Sequence, residues 1–391
     1  MEILFYTLLV VIIVLLSFLL KNRNLFITIV CSIFIIQIIL APKICIDGAI
    51  NGAVLFFYKV FPSLFSFLVV SNIIINCDGI SIYAKLFGKI LCRPLRLPNS
   101  CSFTLIISML CGYPLGAKYA CDLYENRSIN YNTLQRLLNI ASNSSPLFML
   151  GSVGISMFKS PSIGYIFLLS NLISCMIMGM ILPSSQDYTN TNFIENSSYP
   201  QDTAIGIFKS SIENSIKTCL SIGGFITAFS VVNNILNHNS VFNLITMKIS
   251  HILGISNSVV AGTLLGIVEM TNGCNIVSDS AENIYIKIFL VSFLFTFSGF
   301  SIISQVYSFT YKFKVSMKIY TLRKVLHGII CSFISIIMFK IYETAASREI
   351  FSYYYVSIAD GSGLSWLFIL ILFILVFPIV ICGLKKLFHI I

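Results

Sequence analysis

The sequence predicts an all-α polytopic membrane protein, with about nine transmembrane helices, two re-entrant hairpins and an inverted-repeat, transporter-like core. Three observations predict it: a composition too apolar for water, a series of long apolar runs, and turn residues that interrupt two of those runs. Of 391 residues, 57% are hydrophobic and only 10% charged, and the mean hydropathy is +0.92. A soluble domain carries about 25% charged residues. So few charges cannot cover a water-facing surface, and lipid must be the solvent.

The elements follow in chain order. The first apolar run, 3–20, follows Glu2 and ends at Lys21-Asn22-Arg23 with no small-residue cleavage site, so it reads as a retained helix. Further runs at 24–41, 54–76, 138–158, 162–182, 218–236, 285–307, 325–342 and 364–384 read as crossings. Two more, 101–117 and 257–276, contain turn residues and read as re-entrant hairpins. Ser184 to Thr203 is rich in Ser, Asn and Thr and reads as a solvated linker. The division that results is 1–50 for N-terminal transmembrane helices, 51–183 for a first gate-like repeat, 184–213 for a polar linker, 214–310 for a second gate-like repeat, and 311–391 for C-terminal transmembrane helices.

The net charge of +10 is explained by topology, not by nucleic acid. With the N-terminus outside the cytoplasm and the C-terminus inside, the inner loops 21–23, 77–137, 183–217, 308–324 and the tail from 385 hold 18 of the 25 Lys and Arg residues. The weak point is 183–217, where Asp187, Glu195, Asp202 and Glu213 offset the lysines. The twelve cysteines stand at no C-x-x-C spacing and serve mostly as small hydrophobes. With four histidines and no clustered carboxylates, no metal site is expected.

Three features recur in order on either side of the linker. The first half has a span near Phe61, an interrupted hairpin at Gly112-Tyr113-Pro114-Leu115-Gly116-Ala117, and a span containing Asn143-Ser144-Ser145-Pro146. The second half has a span from Leu220, a hairpin at Glu269-Met270-Thr271-Asn272-Gly273, and a span containing Ser298-Gly299. The offsets are 52 and 31 residues in the first half, 50 and 28 in the second. Three spans separate the two starts, which inverts the second unit, and inverted repeats with broken helices characterise secondary transporters. The bland alternative is that apolar segments resemble one another at any spacing.

Each break carries a candidate chemistry. Gly112 permits a turn and Pro114 suits the first position of a new helix through Lys118 and Asp122. A helix starting inside the membrane presents N–H groups that no water satisfies, and an anion or polar solute is a natural acceptor. Lys118 either adds positive charge there or pairs with Asp122 one turn on. At the second break Ser145 is a good N-cap and Pro146 a good first helical residue. Asn143, Ser144 and Ser145 would supply polar contacts, and unwound carbonyls a cation site, unless this is a locally satisfied proline kink. Glu269 follows an apolar approach. A charge at a helix centre costs about 2.5–3.5 kcal/mol on insertion scales, so it reads as a proton or cation site or a gate partner for Lys118, or as merely solvated if 257–276 is superficial.

The C-terminal third offers Lys312, Lys314, Lys318, Arg323 and Lys324 as a positive-inside loop against anionic lipid. Tyr353-Tyr354-Tyr355 and Trp366 read as interfacial aromatics, and Asp360-Gly361-Ser362-Gly363 as a turn. No nucleotide-binding G-x-x-x-x-G-K-[ST] loop, H-E-x-x-H or nucleophile elbow is present. No enzyme is expected.

The runs Phe61-Pro62-Ser63-Leu64-Phe65-Ser66-Phe67-Leu68, Cys111 to Lys118, Ser142 to Phe148 and Gly266 to Gly273 resemble the YlbJ/SpoVV family of sporulation integral membrane proteins, over about 50–310. Its long 184–203 linker departs from that pattern. The resemblance implies a gate domain distantly like that of concentrative nucleoside transporters. It also implies a role in endospore formation, with dipicolinate moving from the mother cell through the outer forespore membrane. On that reading the substrate-binding set is Gly112, Tyr113 (stacking), Pro114, Gly116, Lys118 (charge), Asn143, Ser144 and Ser145 (polar contacts), with Glu269, Thr271, Asn272 and Gly273 for gating or coupling. The partners expected are a small anionic solute and the lipid bilayer, with no nucleic acid and no cofactor. A coupling cation (sodium or proton) and a homo-oligomer stay open. The rival readings are an ion-coupled nucleoside carrier and a non-transporting scaffold for sporulation partners.

Overall fold

The computed structural model describes residues 23–77, 79–183 and 204–349, and every regular element among them is helical. The chain opens with α1 (Arg23–Leu40), α2 (Pro42–Leu55), a five-residue π-helix (Phe56–Val60), α3 (Phe61–Asn76) and α4 (Gly79–Cys92). There follow α5 (Ser102–Cys111), α6 (Leu115–Glu125), α7 (Tyr131–Ile140), a π-helix at Phe148–Met157, and α8 (Pro161–Ile181). The rest comprises α9 (Ala204–Asn237), α10 (Ser240–Leu253), α11 (Asn257–Val268), α12 (Met270–Asp279), α13 (Ile284–Phe297), α14 (Gly299–Thr310) and α15 (Met317–Glu349).

Four stretches are long and apolar enough to cross a membrane: Pro161–Ile181, Ile205–Asn237, Ile284–Phe313 and Met317–Thr344. Counting each of three sharply bent helix pairs as one span raises this to seven among the described residues. The bends have local causes. Pro42 opens α2 with no N–H to continue α1, and the pair turns by 106°. Gly254, at φ 65°, ends α10, and α11 leaves at 119°. The expected runs 3–20 and 364–384, the linker residues 184–203, Trp366, the tyrosine cluster, the 360–363 turn and the tail lie outside the described residues.

Several expectations change. Residues 138–158 are not one crossing: α7 stops at Ile140, the chain runs non-helically through Ser145, and a π-helix follows. The region 77–137 is no simple loop, for it holds α4, α5, α6 and α7. From residue 204 the linker segment is helical and continuous with the 218–236 span, and α9 at 34 residues is about 51 Å long, more than a ~30 Å hydrocarbon core requires. Its polar end carries an exposed Lys209–Glu213 pair at 3.9 Å. Two residues counted as inner-loop charges are buried. Arg136 is 4% exposed and donates to the carbonyls of Leu95 and Gly179; Lys324 is 0% exposed. Neither meets lipid head groups. Burying them serves the protein interior.

Helix packing uses small residues, as it must where lipid removes any hydrophobic drive between helices. Gly48 and Gly52, four apart on α2, let α9 approach so closely that a Cβ at Gly52 would lie 2.8 Å from Thr227 Cα. The same helices are tied by Asn234 Nδ2, which donates to Ile44 O at 2.6 Å. From α3, Asn72 donates to Ser215 Oγ at 3.0 Å and Asn76 to Ser211 Oγ at 3.3 Å. One continuous core then joins α7 and α8 to α12, α13, α14 and α15. A second gathers α3, α4, α5 and α6 against α9 through Cys219 and Ile222.

Candidate functional site

Two pairs of helix breaks meet at the centre. In the first pair, the α5–α6 turn packs on the stretch between α7 and the following π-helix. Gly112 sits at φ 78°, and a Cβ there would lie 2.6 Å from Ser145 N. Only glycine tolerates both the backbone and the contact. The Tyr113 N–H donates to Asn143 O at 2.7 Å, stitching the two breaks together. One turn on, a Cβ at Gly116 would come within 1.8 Å of Ala141 O. Ser145 caps the new π-helix, its Oγ accepting from Phe148 N–H at 3.2 Å. That is the role its place before Pro146 suggested.

The second pair repeats this arrangement with different residues. The α11–α12 hairpin closes through glycines, a Cβ at Gly273 falling 2.1 Å from Gly266 Cα. Against it lies the α13–α14 break, where Ser298 (φ 75°) and Gly299 (φ 70°) turn left-handed. Gly299 sits over the Gly266 and Ile267 carbonyls and the Met270 amide.

The two helix starts differ in how they are satisfied. At α12 the chain provides its own anion. The Glu269 carboxylate, 5% exposed, accepts from Thr271 N–H at 2.9 Å through Oε1 and from Asn272 N–H at 3.0 Å through Oε2. That explains why a carboxylate is kept at this depth: it neutralises the orphan donors and positive end of a helix beginning away from water. At α6 no side chain caps the helix, and its first amide with a backbone acceptor is Lys118, bonded to Pro114 O at 3.1 Å.

Between the two pairs is a cavity of about 140 Å³, small beside the ~300–1,000 Å³ pockets that hold drug-sized ligands. Tyr113, Pro114, Ser144, Ser145, Glu269 and Thr271 line it, with Ser152, Ser301 and Gln305 as further polar groups. Leu64 and Phe67 of α3 and Ile222 and Ile226 of α9 form apolar walls. Tyr113 joins the halves, its hydroxyl donating to Phe295 O at 3.1 Å and lying against the Met270 sulfur.

Half of the residues proposed from sequence thus meet at one cavity, and the others have different places. Gly112, Gly116 and Gly273 make the close backbone contacts described above. Asn272 contributes the amide that Glu269 caps. Asn143 lies behind the cavity, 2% exposed, donating to Ile140 O at 3.0 Å, with Ser108 Oγ at 3.4 Å. Lys118 pairs with Asp122 Oδ2 at 3.2 Å and stands 4.4 Å over the Tyr119 ring, so it is not a cavity residue. Of the expected alternatives for it, the i,i+4 pair is the one formed. Sequence reasoning missed Ser152, Ser301 and Gln305. Ser301 and Gln305, four apart in an apolar run, are the polar-at-depth signal that would have found two of them.

Known proteins give one informative comparison. The chain is 25% identical over 328 residues to the sporulation integral membrane protein YlbJ of Bacillus subtilis (strain 168), covering 78% of this chain and 80% of that protein. No family model matches the chain, and no solved structure matches it. With the apolar helices among the described residues, this likeness makes the chain an integral membrane protein similar to the sporulation protein YlbJ.

Proposed function

We propose that this protein is a secondary transporter of a small polar solute, acting in endospore formation. The observation that carries this reading is the cavity enclosed by two pairs of helix breaks, with polar groups from both pairs turned into apolar walls. Irregular backbone at membrane depth is tolerated where it is buried in protein or lines a cavity. The matched pairing of a hairpin with a broken segment in each half supports an inverted repeat over 51–183 and 214–310.

Dipicolinate is the solute that the family resemblance implies, moving across the outer forespore membrane with the N-terminus outside the cytoplasm. Its charge would be met by the uncapped start of α6 and the hydroxyls of Ser144, Ser145 and Ser152. A second reading has a specific observation in its favour. The one charged side chain lining the cavity is the acidic Glu269, which suits a neutral hydroxylated solute such as a nucleoside better than a dianion. Neither reading makes the chain an enzyme.

Uptake of labelled dipicolinate and of uridine into proteoliposomes decides between them. Accumulation of dipicolinate alone supports the first reading and of uridine alone the second. Uptake of neither removes the carrier and leaves a scaffold.

A further inference from the structure

A lysine from outside both gate-like halves reaches into the first pair of breaks. Lys324 lies in α15, fully buried, and its ammonium donates to Ser142 O at 2.8 Å. Ser142 is part of the unwound stretch that follows α7 and leads directly to Ser144 and Ser145 at the cavity. Three carbonyls close by in the chain already have donors. Ile140 O accepts from Asn143 Nδ2 at 3.0 Å and from Cys175 Sγ at 3.1 Å, Asn143 O from Tyr113 N–H at 2.7 Å, and Ser145 O from Met149 N–H at 3.1 Å. At Ser142 O the cation that an unwound carbonyl calls for is a side chain.

Among the described residues no carboxylate is paired with Lys324. Among the described residues the ion pairs are Lys118–Asp122 and Lys209–Glu213, both elsewhere. From α8 the facing titratable group is Cys175; from α15 itself they are Tyr320, His327 and Cys331. From α13 comes the neutral hydroxyl of Thr296 beside Cys331, and on α7 Arg136 is turned away to the Leu95 and Gly179 carbonyls. His327 Nε2 bonds Ser174 Oγ at 3.0 Å, and the Ser142 and Tyr320 hydroxyls are hydrogen-bonded to each other at 2.8 Å. Among the described residues the acceptor bonded to the Lys324 ammonium is the Ser142 carbonyl, two residues beyond the end of α7, where the helix dipole also favours positive charge. A buried ion balanced so thinly depends on that geometry, and the geometry depends on the ion.

We propose that Lys324 is the coupling cation of this carrier: a proton held on its amine, in place of a bound metal ion, links the α7 break to the solute cavity. Protonated, the side chain grips Ser142 O and holds Ser144 and Ser145 in place. Loss of the proton weakens that grip and frees the break to rearrange. Transport is then proton-linked and independent of sodium. This rests on the carrier reading above.

The test is uptake of dipicolinate and of uridine by the reconstituted full chain, under an imposed pH gradient or an imposed sodium gradient. The expected result is accumulation that follows the pH gradient and is unchanged when choline replaces sodium. Lys324→Arg, which keeps a charge that does not titrate, is expected to bind solute at equilibrium yet lose the response to the pH gradient. Uptake driven by sodium, uptake indifferent to pH gradient in the wild type, or a pH response retained in Lys324→Arg would each overturn the inference while leaving a carrier. Uptake of neither solute would remove the carrier reading itself.

Discussion

Glu269, Lys118 and Gly112 show how differently conspicuous residues are used. Glu269 spends both carboxylate oxygens on amides of its own chain. Glu269→Ala leaves two part-buried N–H groups at the start of α12 bare and is expected to lower stability by about 1–2 kcal/mol, read as a fall in the thermal unfolding midpoint in detergent. Glu269→Gln, with one acceptor oxygen left, should fall between. Lys118 makes a partly exposed helix pair, worth little. Lys118→Ala should change uptake by no more than about twofold, and a larger loss would return it to the site. Three glycines form a graded series. Gly116→Ala drives a Cβ to 1.8 Å from a carbonyl oxygen and is expected to abolish folded protein, measured as loss of a monodisperse peak in size-exclusion chromatography. Gly112→Ala combines a left-handed φ with a 2.6 Å clash and should abolish uptake at least. Gly224 meets nothing within 4 Å, so Gly224→Ala should be tolerated without loss of uptake.

At the scale of elements, the breaks are stabilised by local chemistry and located by partners. Ser145 caps the π-helix with a single hydroxyl. Ser145→Ala should cost about 1 kcal/mol and disturb the cavity rim, whereas Ser145→Thr, which restores a hydroxyl, should recover most of the stability. The α2–α9 pair depends on a glycine seam: a Cβ at Gly48 already sits 3.0 Å from Val231 Cα. Gly52→Leu must therefore push these helices apart. A disulfide test would register this, since cysteines introduced at Ile44 and Asn234, whose backbone and side chain are now hydrogen-bonded, should cross-link in the parent and fail to in the Gly52→Leu background. The Gly48-x-x-x-Gly52 spacing was readable as a packing motif. That α9 was its partner was not, because 190 residues separate Ile44 from Asn234.

For the molecule as a whole, orientation and burial give a single labelling experiment. Nine of the eleven described cysteines are buried, and Cys31 lies exposed along an apolar helix, where lipid covers it. Cys77, exposed at the end of α3, is the remaining described thiol. An impermeant maleimide should label Cys77 only from the cytoplasmic side if the N-terminus is outside. Labelling of Cys77 in intact cells would reverse the orientation. The positive-inside count behind this expectation loses Arg136 and Lys324, now buried, but keeps Lys85, Lys89, Arg93 and Arg96 beside Cys77. The sign is unchanged.

The sequence by itself determined that lipid is the solvent, that the described chain is helical, and that helices break near Gly112, Ser145 and Glu269. Those properties are local: Gly112 alone permits a left-handed turn, Pro42 and Pro161 lack an N–H, and Ser145 and Glu269 accept from amides two or three residues on. Only the tertiary structure decided which breaks face each other, that Lys118 stays with its neighbour, and that Lys324 crosses 182 residues of sequence to reach Ser142. A charge in an apolar helix looks the same on paper whether it meets lipid head groups or an unwound carbonyl. The choice is made by packing across elements, where burial makes every unpaired polar group costly and so dictates which distant partners must meet.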